Sequence, residues 1–182
     1  MRADVLLLPG LYNSGPRHWQ SVWEARFPAM KRVQQAEWDA PSCDDWVARL
    51  DEEIAAAGPD VVLVAHSAAC TTVAKWASAH ARPVRGALLV APSDTEARSY
   101  PPGTQGFQPV PLGRLPFPSI VAASTDDPYI AVERARVFAQ AWGSQLVLVG
   151  ALGHINSDSD LGVWPEGLGL LARLVGDERF GA

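Results

Sequence analysis

Basic charge is thin in this chain of 182 residues: 15 Lys and Arg stand against 20 Asp and Glu, a formal net charge of −5. Lys31 and Lys75 are the only lysines, and the arginines are spread along the chain without a run. Nucleic acid or an anionic membrane surface selects for a basic patch, so neither partner is expected. Cysteine is scarce too. Cys43 and Cys70 form no Cys-x-x-Cys pair and no disulfide framework, which points to a reducing, cytoplasmic setting. The apolar run Val5–Leu8 is too short for a signal peptide or a membrane span. The 4 histidines show no ligand spacing and no His-Glu-x-x-His, so neither a metal nor another cofactor is implied. What these absences leave is a soluble chain, 1–182, of a size that folds as one ordinary domain with a full core.

The chain is rich in short apolar runs that alternate with helical patterns. Strands are expected at Val5–Leu8, Val33–Trp38, Val61–Ala65, Gly86–Ala91, Ser119–Ala123 and Gln145–Val149. Helices are expected at His18–Phe27, Asp44–Ala57, Ala68–Ala79, Tyr129–Trp142 and Pro165–Val175. Unbroken apolar strands between helices mean a parallel sheet covered on both faces, an α/β/α sandwich. Between 92 and 118 proline and glycine are dense and apolar periodicity vanishes. A loop that long either lies over a site or wraps the surface.

The segment V-V-L-V-A-H-S-A-A-C-T-T-V-A-K-W-A, Val61–Ala77, carries the chemistry. An apolar strand runs into small residues around Ser67, and an Ala-rich helix follows. Strand, sharp turn with serine at its apex, helix is the layout of a nucleophile elbow, whose crowded turn demands small neighbours. Ala65 and Ala69 stand where glycines usually do. The plainer alternative is a serine that caps the following helix.

In a parallel sheet ligands bind beyond the carboxyl ends of the strands. Ser67, then S-T-D-D-P with Asp126 and Asp127, then His154 all follow strands, in the order serine, acid, histidine. A serine hydroxyl is a weak nucleophile; it needs a base, and the base needs an acid to fix its tautomer. Asp127 is favoured over Asp126, because Pro128 holds it extended at the strand exit. Its plainer role would be to cap the Tyr129 helix, and His154 alone would pass for a surface histidine. Donors for an oxyanion would be the backbone N–H of Ala68, at a helix start, and of Leu11, beside a glycine that allows close approach. Tyr12, His18, Trp19 and Trp164 adjoin these motifs and are candidate pocket residues. His66, by contrast, should point its side chain away from Ser67, and Cys70 should be core.

P-G-L-Y-N-S-G-P-R-H-W-Q-S-V-W, V-A-H-S-A-A-C, S-T-D-D-P-Y and G-H-I-N-S-D-S-D-L-G-V-W-P-E-G together resemble the small serine hydrolases of the YdeN and retinoblastoma-binding-protein type. The resemblance spans nearly the whole chain. It implies an α/β-hydrolase fold without a lid domain, with a six-stranded parallel sheet in the order 2-1-3-4-5-6. It also implies Ser67 as nucleophile, His154 as base and Asp127 as acid, with esterase-like or aminopeptidase-like action on a small ester or amide. Two other classes compete. One is a hydrolase fold serving as a binding or regulatory module. The other is a flavodoxin-like nucleotide binder, for which P-G-L-Y-N-S-G lacks the Gly-Lys-Ser/Thr of a phosphate loop.

Overall fold

A computed structural model describes residues 5–176. Strands β1 (Val5–Leu8), β2 (Met30–Arg32), β3 (Val62–His66), β4 (Gly86–Val90), β5 (Ser119–Ala123) and β6 (Gln145–Leu148) form one sheet in the order β2-β1-β3-β4-β5-β6. Every pairing is parallel. The helices are α1 (Trp19–Arg26), α2 (Cys43–Ala57), α3 (Ala68–Ala79), α4 (Val132–Trp142) and α5 (Pro165–Val175).

Side chains alternate across each strand, so the sheet feeds two cores. Leu6, Leu8, Leu63 and Ala65 pack with Trp46, Leu50, Ile54, Trp76 and Phe138 under α2, α3 and α4. Val5, Leu7, Val62 and Val64 pack with Trp19, Trp23, Trp164, Leu168 and Leu171 under α1 and α5. The inner strands are buried on both faces, which is why they read as unbroken apolar runs. Among the described residues no helix is long and apolar enough to cross a membrane.

Two elements differ from the sequence reading by more than one residue at a boundary. The second strand is Met30–Arg32, not Val33–Trp38: it pairs Val5 with Met30 and Leu7 with Arg32, and the N–H of Val33 closes the ladder on the carbonyl of Leu7 at 2.9 Å. Val33 and Trp38 are apolar because they pack from the following loop onto the α2–α3 core. Helix α4 begins at Val132, not Tyr129. The Asp127 carboxylate accepts the N–H of Tyr129 at 2.8 Å, and the Tyr129 carbonyl accepts the N–H of Asp94 at 3.2 Å in place of a helical partner.

Segment 92–118 forms neither helix nor strand of the sheet. Part of it packs into the core and part borders the site. Phe107, Val110, Leu115 and Phe117 are buried against the α2–α3–α4 core. Ser93, Tyr100 and Pro101 reach the mouth of the pocket described next.

Candidate active site

The exits of β1, β3, β4, β5 and β6 converge on one rim of the sheet. At the centre, Ser67 follows β3 with φ 59° and ψ −128°, backbone that a residue with a Cβ adopts only under strain of about 1–3 kcal/mol. Its N–H is held by the carbonyl of Val90 at 3.0 Å, its side chain makes no cap on α3, and its Oγ is turned to the rim. The helix-cap alternative therefore does not describe this serine. Gly10 explains the room: a Cβ there would lie 2.7 Å from Ser67 Cβ and 3.1 Å from its Oγ. Only glycine lets the β1 loop pass so close.

Ser67 Oγ lies 2.9 Å from His154 Nε2. His154 Nδ1 lies 2.9 and 3.0 Å from the two oxygens of Asp127, whose side chain is fully buried. Three groups from three strand exits are thus in one hydrogen-bonded row. Asp127 serves two partners, donating nothing and accepting from both Tyr129 N–H and the imidazole. Asp126 faces elsewhere: its Oδ1 accepts from Gly153 N–H at 2.7 Å and from the Ser124 hydroxyl at 2.7 Å. Those two contacts, the Ser124 hydroxyl first, hold its carboxyl below the usual range.

The loop that carries His154 is pinned from several sides. Ser124 Oγ accepts the N–H of Leu152, Ser159 Oγ donates to the carbonyl of Leu152, and Trp19 Nε1 donates to the carbonyl of Ile155. His66 Nε2 donates to the carbonyl of His154 itself at 2.9 Å. His66 therefore does not simply turn away from the serine. Its ring stands between those of His18 and His154, at 4.7 and 4.9 Å, and lines the same pocket as Ser67. Burial pushes its pKa well down, with the neighbouring His18 and His154 adding to the effect. Burial, and then the Arg32 guanidinium, push His18 down to about 3. Both rings stay neutral at ordinary pH.

Opposite the elbow, Tyr12 and Asn13 both have positive φ, 65° and 63°, and turn the chain sharply after Leu11. Arg32 braces that turn from below, donating to Asn13 Oδ1 at 2.7 Å and to the Ser14 carbonyl at 2.9 Å. Leu11 lines the pocket, and Ala68 opens α3, where the first N–H groups of a helix have no intrahelical partner.

The pocket over Ser67 has a volume of about 210 Å³. Leu11, Tyr12, His18, Tyr100, Tyr129 and Asn156 are among its walls, and none of the residues that line it is Asp, Glu, Lys or Arg. Tyr12 and His18 are where the sequence suggested. Trp19 and Trp164 are not: both are buried behind the site in the α1–α5 core, with ring centroids 5.1 Å apart. Their spacing from the motifs reflects packing, since aromatic bulk is needed to fill the space between α1, α5 and the sheet. Cys70 is likewise core, its thiol directed to the carbonyls of Ala65 and Val90 and its pKa raised by burial.

Two residues carry no sequence signal. Ser93, after β4, sets its hydroxyl 2.8 Å from Ser67 Oγ. Gln20 buries its amide between the first and third strands, donating to the carbonyls of Leu8 and Val64 and accepting from the Ser14 hydroxyl. Neither a serine in a Pro-rich loop nor a glutamine in a helix has a pattern that singles it out.

Comparison with known proteins identifies the family. The serine hydrolase family model matches residues 5–173, and the chain belongs to that family. A protein of Pectobacterium atrosepticum described as a YdeN-like hydrolase is 34% identical, with 96% of this chain and 91% of that one covered and a TM-score of 0.85. The ydeN gene product of Bacillus subtilis is 20% identical over 97% of this chain and all of its own length, TM-score 0.75. An α/β-superfamily hydrolase of Xanthomonas campestris, 21% identical with 94% and 99% covered, superimposes with a TM-score of 0.63. The fold is that of the α/β-hydrolases, with the sheet order that the resemblance implied. No curated protein matches the chain.

Proposed function

We propose that this hydrolase cleaves small, uncharged esters or amides through an acyl-enzyme on Ser67. The observation that carries the reading is the continuous row Asp127–His154–Ser67, with contacts of 2.9 to 3.0 Å, opening on a neutral pocket. His154 Nε2 takes the Ser67 proton as Oγ attacks the carbonyl carbon, and Asp127 holds the ring and balances the imidazolium. The carbonyl oxygen becomes an oxyanion and meets the N–H groups of Leu11 and Ala68, the latter at the positive end of α3. Collapse expels the leaving group with the proton from His154. Water activated by the same ring then releases the acid.

Size and charge support the substrate class. A cavity of about 210 Å³ is below the range of drug-sized ligand sites, about 300–1,000 Å³, which favours a short acyl group. The walls offer no carboxylate to receive a free α-ammonium, which favours simple esters and uncharged amides over N-terminal aminoacyl substrates. A binding module would call for a blocked pocket, and here Tyr12 and Tyr129 stand exposed at the rim rather than filling it. The test is hydrolysis of a series of p-nitrophenyl esters of rising acyl length by wild type and Ser67→Ala. Turnover of acetyl to butyryl esters that is lost in the variant supports the reading; equal turnover by both proteins defeats it.

A further inference from the structure

We infer that Ser93 is a further catalytic residue, a hydroxyl that donates to the nucleophile and leaves it one free lone pair to attack with. The inference rests on Ser67 being the nucleophile. Ser93 Oγ lies 2.8 Å from Ser67 Oγ, its residue is 4% exposed, and it lines the same pocket. Its place is fixed by the backbone. Ala91 turns the chain at the end of β4 with φ 45°, and the N–H of Asp94 is held by the carbonyl of Tyr129 at 3.2 Å. Asp94 is in turn paired with Arg134 of α4.

The direction of the hydrogen bond follows from counting protons. The Asp127 carboxylate can only accept, so the neutral His154 ring carries its proton on Nδ1 and presents a lone pair at Nε2. Ser67 then spends its single proton on Nε2. Between the two hydroxyls, Ser93 must be the donor. Around the tetrahedral Ser67 Oγ, Cβ takes one direction, the proton toward His154 a second, and the Ser93 O–H a third. One lone pair is left, and its direction is fixed by the other three.

That geometry has consequences through the cycle. On attack, the free pair forms the Oγ–C bond, the carbonyl π pair moves onto oxygen, and the Ser67 proton passes to His154 Nε2. Ser93 keeps its own proton throughout. In the acyl-enzyme Oγ is an ester oxygen and a poor acceptor, so the Ser93 contact slackens. In deacylation Oγ is the leaving group, regains charge, and is met again by the Ser93 donor. The interaction is therefore strongest when Oγ carries charge, the condition for acceleration of both steps.

The experiment is steady-state hydrolysis of p-nitrophenyl acetate by wild type, Ser93→Ala and Ser93→Thr, with melting curves and labelling of Ser67 by a fluorophosphonate probe. The expected result is a fall in kcat of about 10- to 100-fold in Ser93→Ala with KM within about twofold. Melting temperature should be unchanged, and Ser93→Thr, which keeps the hydroxyl, should recover most of the rate. Full turnover by Ser93→Ala overturns the inference, as does a loss carried by KM or by melting temperature alone. Failure of the threonine variant to outperform alanine at equal melting temperature also overturns it. If wild type hydrolyses the ester but is not labelled at Ser67, the nucleophile assignment itself fails and takes this inference with it; if Ser67 is labelled and Ser93→Ala is unaffected, only the inference fails.

Discussion

The elbow after β3 and the histidine loop after β6 bring their side chains to one point by different means. Ser67 is positioned by backbone: a strained turn, a buried strand on one side, a buried helix on the other, and Gly10 packed against it. His154 is positioned by side chains borrowed from elsewhere. Asp127 holds its ring, His66 its carbonyl, Asp126 and Ser124 the amides of the two residues before it, and Trp19 the carbonyl of the residue after it. A fault in the elbow therefore has no neighbour to absorb it, whereas a fault in the loop is shared among several contacts.

The largest effect is expected from charge rather than position, at Asp127, which belongs to neither region but follows β5 and pairs with the His154 ring. Asp127→Asn keeps the shape but forces the wrong tautomer or an unpaired donor on His154, and kcat should fall about 10⁴-fold while the protein stays folded. Rates at saturating ester check this. Gly10→Ala touches neither acid nor base, yet places a methyl 2.7 Å from Ser67 Cβ. A displacement of the proposed nucleophile on that scale should cost about 100-fold in kcat/KM. If Gly10→Ala proves harmless, the elbow is more yielding than its packing implies. On the loop side, Asp126→Ala removes the acceptor for Gly153 N–H and leaves the other ties, so a loss of only about tenfold is expected, seen in kcat. An effect as large as that of Asp127→Asn would erase the distinction between the two regions.

The smallest effect is on stability. His18 is held neutral in the fold, its pKa down at about 3 against an ordinary value of 6.5. Below pH 6.5 the unfolded chain binds a proton that the folded one refuses, so stability is complete above that pH and is lost progressively as pH falls toward 3. His66 acts in the same direction. Urea unfolding between pH 7.5 and 4.5 should show falling midpoints. His18→Asn, which retains an N-cap acceptor for Gln20 N–H, should flatten the slope.

The same contrast explains what can be read without coordinates. The row Ser67, Asp127, His154 is legible because strand-end chemistry in a parallel sheet recurs in a fixed chain order, and the sheet order follows from the family resemblance that these motifs carry. Gly10 is legible because only one residue type satisfies a close backbone approach. The second strand is misplaced by the reading because three residues at a sheet edge, Met30–Arg32, carry only one buried side chain and so little pattern. Ser93, Asp126 and His66 are not legible as partners of the row. Their roles depend on which way a loop turns after its strand, and that is set by contacts distant in sequence, such as Asp94 with Tyr129. Trp19 and Trp164 show the converse error: residues next to a motif in sequence can lie behind it in space.

The most direct measurement is peptide mapping by mass spectrometry of the adduct formed with a fluorophosphonate, following its rate of formation in wild type and in Asp127→Asn. The account predicts one adduct, on Ser67, formed orders of magnitude more slowly when the acid is replaced. An adduct on another residue, or labelling of Ser67 that ignores the loss of Asp127, would contradict it.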